Sequence, residues 1–392
     1  MKILLCAVIV LAAVGAAWRT SEPTIGTDGA RWLIDTDLAA VEVALPDPHD
    51  ALNVSGSAVP SVHAVSAVEL ADGTLRAFWF GGSREGAADV SIWTATLSPG
   101  AEAWSEPNVA ISREDCEADV DRTIRKLGNP VAAIDGDGRL WMFFVSVSVG
   151  GWSGSAVNAV SSADEGQTWG PVERLVTSPF ANISTLVKGP AWPLEDGAIG
   201  LPVYHEMVSK FPQILCIETD GNRAIVEGRQ TPAGSRETIQ PWVVPTSPTD
   251  AVTFFRRVGD TAAKVHVSRT SDSGKTWSTP TPCDLPNPNA SVAAANLGGG
   301  RILLAFNDKD NSRKDLSLAI TDDNGDSWTR LGSVETKKRL PDEKDIDRLE
   351  YSYPWLMRTR SGEVHLLYTW NRKQIRHLRL PRPSHATEEA TP

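Results

Sequence analysis

Several clusters of charged and aromatic side chains in this 392-residue chain could do chemistry. Arg84, Glu85 and Asp89 share the short segment Gly81–Asp89, where a carboxyl group could pass a proton and an arginine could hold an anion. Glu237 and Arg256 lie beside apolar runs, where an unpaired charge is costly, so each needs a partner. Arg122, Arg125 and Lys126 precede the apolar run Asn129–Ile134 and fit the rim of a site for an acidic ligand. His63 opens another apolar run, either as a core imidazole or as a site group. Trp152, Trp355 and Trp370 offer faces on which a ring could stack, although core packing is the competing use for each. Tyr204-His205-Glu206 lacks the second histidine of a zinc-binding helix and has a strand pattern, so no metal site is read there.

The elements that must position these groups repeat. Ser162-Ala-Asp164-Glu-Gly166-Gln-Thr168-Trp169 is matched by Thr270-Ser-Asp272-Ser-Gly274-Lys-Thr276-Trp277 and by Thr321-Asp-Asp323-Asn-Gly325-Asp-Ser327-Trp328. In such a hairpin turn the Asp accepts hydrogen bonds from turn amides, the Gly takes positive φ, and the Trp starts the next strand and packs on the turn. Asp164 to Asp272 spans 108 residues and Asp272 to Asp323 spans 51, so the first gap is two periods, with a degenerate unit expected near Asp220-Gly221. Six Asp/Gly-type turns recur between Glu69 and Gly362, most followed by a short apolar run such as Leu75–Phe80 or Leu140–Val145. Helical periodicity is nearly absent. Four short strands per period make an all-β, six-bladed β-propeller over residues 60–380. Residues 18–59 precede it, with 30–47 as the candidate for the strand that closes the ring, and 381–392 are read as a disordered tail.

The remaining composition narrows the function classes. Lys+Arg total 38 against 49 Asp+Glu, a net charge of −11 with no basic block, which argues against a nucleic-acid partner. Lys2 followed by the apolar run Ile3–Ala17 reads as a signal peptide over residues 1–17, implying a secreted or periplasmic protein with no membrane span in its mature form. Cys116, Cys216 and Cys283 remain after the signal, are widely spaced, and indicate neither a zinc site nor a disulfide framework; three buried thiols is the preferred reading.

The S/T-x-D-x-G-x-S/T-W repeat resembles the Asp-box of the sialidase (neuraminidase) superfamily. Trp79-Phe-Gly-Gly-Ser-Arg-Glu-Gly86, Leu201-Pro-Val-Tyr-His-Glu206, Glu237-Thr-Ile-Gln-Pro241 and Ser352-Tyr-Pro354 are similar to its bacterial BNR-repeat predicted neuraminidase branch. The resemblance implies a glycoside hydrolase acting on a terminal acidic sugar, without a cofactor or metal. It implies Tyr353 as nucleophile, with Tyr351 the near alternative, and Glu237 as the residue polarising it. It implies Asp89 as acid/base, with Glu85 the competitor. It places Arg256 and Arg313 on the substrate carboxylate.

The chain also departs from that pattern. Val62-His63-Ala64 stands where the family opens its first blade with an arginine, and Leu367–Trp370 lacks the glutamate that steadies it. Arg84 and Lys188 are the candidates to replace the lost charge, and His63 joins the substrate-binding set. An altered clamp leaves three readings: the hydrolase, a polysaccharide lyase on uronate glycans with Tyr353 or His63 as base, and a non-catalytic carbohydrate-binding propeller.

Overall fold

The computed structural model describes residues 31–35, 38–57, 59–177, 182–259, 263–336 and 350–383; the expected signal peptide and residues 384–392 of the expected tail lie outside them. Within them the chain forms six antiparallel sheets, five of four strands and one of five. Each blade is a meander in which consecutive strands pair, so almost every hairpin is local in sequence. The innermost strands are Ser61–Glu69, Lys126–Ile134, Thr185–Val187, Thr238–Pro245, Ala293–Gly298 and Tyr351–Arg358. Many of their apolar side chains and those of the second strands are buried in one large core that runs through all six blades, and others form smaller clusters, such as that of Phe78, Phe80, Met142 and Phe144 in blades 1 and 2. The sixth sheet is completed by Leu52–Asn53 pairing with Gln374–Arg379. That places ring closure later than the expected 30–47. Residues in that earlier stretch run across neighbouring blades instead, with Val41 N–H donating to Leu297 and Ala44 N–H to Pro381.

The repeated turns lie between the third and fourth strands of blades 2, 4 and 5, and the degenerate Asp220-Gly221 turn occupies that place in blade 3. Asp164 accepts from the Thr168 amide at 2.8 Å and its hydroxyl at 2.6 Å, and Asp272 and Asp323 repeat the pattern with Thr276 and Ser327. Gly166, Gly274 and Gly325 adopt positive φ, as does the residue before each. The repeat tryptophans reach further than a turn staple. Trp169 packs edge-on against Phe78 and Trp328 against Phe254, each on the second strand of the preceding blade. The motif therefore fastens blade to blade.

The opposite end of the propeller carries an irregularity. Pairing registers shift between His63/Ser66, Gly128/Val131, Ile239/Trp242 and Ser352/Trp355, near the start of four innermost strands. At each shift one non-glycine residue has positive φ: Ala64, Asn129, Gln240 and Tyr353. Such bulges re-aim a side chain at a sheet end. In blade 3 the corresponding Gly189 passes so close to blade 4 that a Cβ would lie 1.9 Å from the Pro241 carbonyl oxygen.

Two predictions follow from this packing. Gly189→Ala must push one blade off another and should destabilise the fold by about 1–3 kcal/mol, read by urea denaturation. The hydrogen bonds from Thr168 hold Asp164 at about 2, below its ordinary 3.8, and those from Ser327 hold Asp323 lower still. A carboxyl depressed on folding adds stability above its unfolded value that is lost as pH falls through the folded one. Stability should drop between pH 4 and 2, and Asp164→Asn with Asp323→Asn should flatten that limb; an unchanged limb would assign acid unfolding to other carboxyls.

Candidate functional site

The bulged ends of the innermost strands bring a set of polar side chains together at the mouth of the central channel. Gln240 donates from Nε2 to the phenol oxygens of Tyr204 at 3.3 Å and Tyr353 at 3.4 Å. Its Oε1 accepts from Arg256 at 3.4 Å, and because arginine only donates, this fixes which end of the amide faces the tyrosines. Asn129 completes the chain by donating to Tyr204 at 3.4 Å. Blades 2, 3, 4 and 6 each contribute one member.

His63 lies against this chain. Its ring centroid is 4.4 Å from that of Tyr353 and 5.6 Å from that of Phe80. It is almost fully buried, and its Nδ1 has no hydrogen-bond partner. Burial, and then Arg372, Arg313, Lys188 and Arg256, hold the imidazole well below its ordinary 6.5, so it is neutral at pH 7.

The arginines are held in a linked series. Arg256 donates to the Asn289 side chain at 2.7 Å, and Arg313 donates to the backbone oxygen of the same residue. Arg313 also lies 3.7 Å from Glu350, which accepts from Arg372 at 2.6 Å. Arg372 then pairs with Glu85. It sits at the turn between the last two strands of blade 6, where its carbonyl accepts from Val62. That position is next to the start of blade 1. Arg372, rather than Arg84, is thus the third arginine of the cluster.

Lys188 forms the floor. Only 1% of it is exposed, and its ammonium donates to the carbonyls of Val65 at 3.3 Å and Pro354 at 3.4 Å. It also lies over the rings of Trp242, Trp355 and Tyr353. Burial lowers its pKa to about 7.

Of the residues singled out from the sequence, Tyr353, Arg256, Arg313, His63, Lys188 and Glu85 are joined by these contacts. Tyr351 is buried in the apolar core. Glu237, expected beside the tyrosine, pairs instead with Arg257, and its side chain is 54% exposed. The bulge lies three residues further along, so Gln240 takes the place beside Tyr353. Asp89 is exposed and accepts from the amide and hydroxyl of Ser83, closing its own loop. Arg84 is exposed on that loop. Trp355 is core, donating to the Ala67 carbonyl, whereas Trp152 is half-exposed beneath Lys126. Cys116, Cys216 and Cys283 are free thiols, and Cys216 and Cys283 are only partly buried. Among the described residues no group of three His, Cys, Asp or Glu side chains could hold a metal, and no helix is long and apolar enough to cross a membrane.

Sequence reasoning missed Gln240, Asn129, Asn289, Glu350 and Arg372. A signal for the first two was present: Asn129-Pro130, Gly189-Pro190, Gln240-Pro241 and Tyr353-Pro354 recur at the blade period. Glu350 and Arg372 have no comparable mark.

Fold and site together define a six-bladed propeller with an arginine-lined tyrosine at the channel mouth. The family model of the BNR repeat-like domain matches residues 73–366, and the chain belongs to that family. Similar solved structures include the Hadza microbial sialidase Hz136, at 15% identity and a TM-score of 0.68 over 84% of this chain and 68% of that one. The Ruminococcus gnavus intramolecular trans-sialidase is 14% identical, with a TM-score of 0.61 over 86% and 98%. A Dyadobacter fermentans protein of unknown function is 14% identical, with a TM-score of 0.63 over 88% and 99%. The fold is that of the sialidases. No curated protein sequence matches the chain.

The arginine series makes an electrostatic prediction. Arg372 is the largest charge acting on His63, so Arg372→Ala should move the His63 titration upward in an NMR pH series, with His63→Gln identifying the resonance. An unmoved titration would take Arg372 out of the cluster.

Proposed function

We propose that this protein is a carbohydrate-active enzyme with the sialidase fold that takes the terminal acidic sugar of a glycan and hydrolyses its glycosidic bond. The observation that carries the reading is the Tyr353–His63 contact within reach of Arg256, Arg313 and Arg372. A sugar carboxylate matches such a set, because planar guanidinium groups pair with it through forked hydrogen bonds. It also explains a tyrosine nucleophile, since a second carboxylate would be repelled by the substrate's own acid.

In this reading Tyr353 attacks the anomeric carbon, and the neutral imidazole of His63 takes the phenol proton, a role expected of Glu237 from the sequence. The Ser83–Asp89 loop carries the two candidate acids for the leaving oxygen, Asp89 and Glu85. Glu85 is tied to Arg372, which leaves Asp89, exposed on the same loop, as the acid placed to reach the leaving oxygen. Water then releases the sugar from Tyr353 with overall retention. Export to the periplasm or medium belongs to the same proposal, on the strength of residues 1–17.

A second reading is favoured by one observation: the hydrogen-bond partner of the Tyr353 oxygen is the Gln240 amide, not a carboxylate. Tyr353 and His63 then suit β-elimination, in which a base removes the proton next to a uronate carboxylate and the leaving oxygen departs without water.

Digestion of a panel of sialosides and uronides in ¹⁸O-labelled water separates the readings. Hydrolysis puts one labelled oxygen into the released sugar. Elimination gives an unlabelled, unsaturated product that absorbs in the ultraviolet. Arg313→Ala should lower kcat/KM on the true substrate at least about tenfold, and Arg313→Lys should not restore it. Full activity in Arg313→Ala would overturn the site assignment, and no cleavage of any acidic glycan would overturn the enzyme reading.

A further inference from the structure

The chain carries a net charge of −11, yet one edge of the site gathers cations. Lys126 opens the innermost strand of blade 2 and Arg125 immediately precedes it; burial, and then the Arg125 charge, lower the Lys126 ammonium below its ordinary 10.5. Among the described residues, neither they nor Arg84 forms an ion pair or side-chain hydrogen bond with a carboxylate. Arg84 lies on the loop whose Gly86 rests against Lys126; a Cβ there would be 3.7 Å from the ammonium.

One of these cations covers an aromatic face. The Lys126 ammonium is 4.0 Å from the centre of the Trp152 ring. Trp152 fits there because its neighbour is Gly128, where a Cβ would meet the ring at 2.6 Å. Its centroid is 6.3 Å from Phe80, which packs on His63. A continuous series of packed rings therefore links Tyr353, through the buried His63 and Phe80, to Trp152 and Lys126 at the surface.

An indole that carries one cation on its face, with further cations beside it, is suited to a sugar that carries an acid: the acid meets the cations and the sugar's apolar side lies against the part-exposed Trp152 side chain. A neutral sugar would leave three cations without counter-charge, and a nucleic acid would meet a chain that is acidic elsewhere. We propose that Trp152, Lys126, Arg125 and Arg84 form a second subsite that binds a further acidic sugar of the same glycan, on the leaving-group side of Tyr353. The substrate is then an acidic oligosaccharide rather than a lone acidic sugar on a neutral chain. The inference rests on the reading above only for its anchor, the terminal acid at Arg313.

The test measures binding with turnover blocked by Tyr353→Phe. Titration calorimetry compares galacturonic acid, its tetramer, N-acetylneuraminic acid and a neutral cellotetraose. The galacturonate tetramer should bind about tenfold or more tightly than either monosaccharide, and cellotetraose should not share the gain. Arg125→Gln with Lys126→Gln should abolish the gain while leaving monosaccharide affinity unchanged; both residues reach solvent, and circular dichroism checks the fold. Trp152→Ala should remove part of it. Raising salt should weaken the tetramer more than the monomers. Equal affinity for tetramer and monomer, or a gain that survives the double substitution, overturns the subsite. Monosaccharide binding lost in Arg313→Ala would then leave the terminal-acid reading standing. Tetramer binding that ignores Arg313→Ala but needs Lys126 would do the reverse. Absence of binding by every probe overturns both.

Discussion

The left-handed residue near the top of the innermost strands is the constraint on which the site depends. A propeller supplies six inner strands that converge on an axis, but a regular strand alternates its side chains between the two faces of its own blade. Few of them would meet over the channel. Positive φ at Ala64, Asn129, Gln240 and Tyr353 breaks that alternation at one level of the ring. Each such non-glycine residue costs roughly 1–2 kcal/mol. Three of the four precede proline, which narrows the backbone further. The return is the bonded series from Asn129 through Tyr204 and Gln240 to Tyr353, drawn from four blades. Positive φ also falls on Glu165, Ser273 and Asn324 in the repeat turns at the other end, so what marks this mouth is the polar series its bulges assemble.

Charge is arranged around the same level with little redundancy. Arg313 and Arg372 share Glu350, a carboxylate that burial pushes toward protonation and that Arg313 opposes. Among the described residues Arg256 meets no carboxylate and relies on Gln240 and Asn289. The cluster therefore carries more positive than negative charge while each guanidinium is oriented by a specific acceptor. An entering acid would meet donors already aimed, which limits the reorganisation that binding requires. It would also offset the positive charge that adds to burial in keeping His63 neutral, raising the basicity of the imidazole when substrate is present.

The sequence made the outer architecture legible because its devices are local. An Asp that caps its own turn, a glycine at positive φ and a tryptophan one step later form within eight residues, so the repeat could be read directly. The six turns between first and second strands were legible for the same reason. Site residues were legible only where a family pattern carried them, as for Tyr353, Arg256 and Arg313. Glu237 and Gln240 differ by three positions, and only the bulge decides which faces the tyrosine. Arg372 could not be read at all: its place beside His63 depends on closure of the ring, which sets the last hairpin of blade 6 against the first strand of blade 1. Ring closure falls inside the 18–59 segment but at Leu52–Asn53 rather than at 30–47, since a two-residue strand leaves no periodicity to detect.

Lys188 shows how far the ring depends on its axis. A buried ammonium normally demands a carboxylate, and here its bonded partners are two backbone carbonyls and its neighbours three aromatic faces. Those carbonyls belong to Val65 and Pro354, the residues that follow the bulged positions Ala64 and Tyr353. One side chain from blade 3 thus ties down the bulges of blades 1 and 6, the two blades that meet where the ring closes. The aromatic faces soften its desolvation, and the carbonyls supply directed acceptors, yet burial still brings its pKa to about 7. A neutral amine keeps two donors, enough for both carbonyls, so the tether survives loss of the charge. The residue can therefore hold Tyr353 and His63 in register across neutral pH while its charge, when present, adds to the field that draws an acid inward.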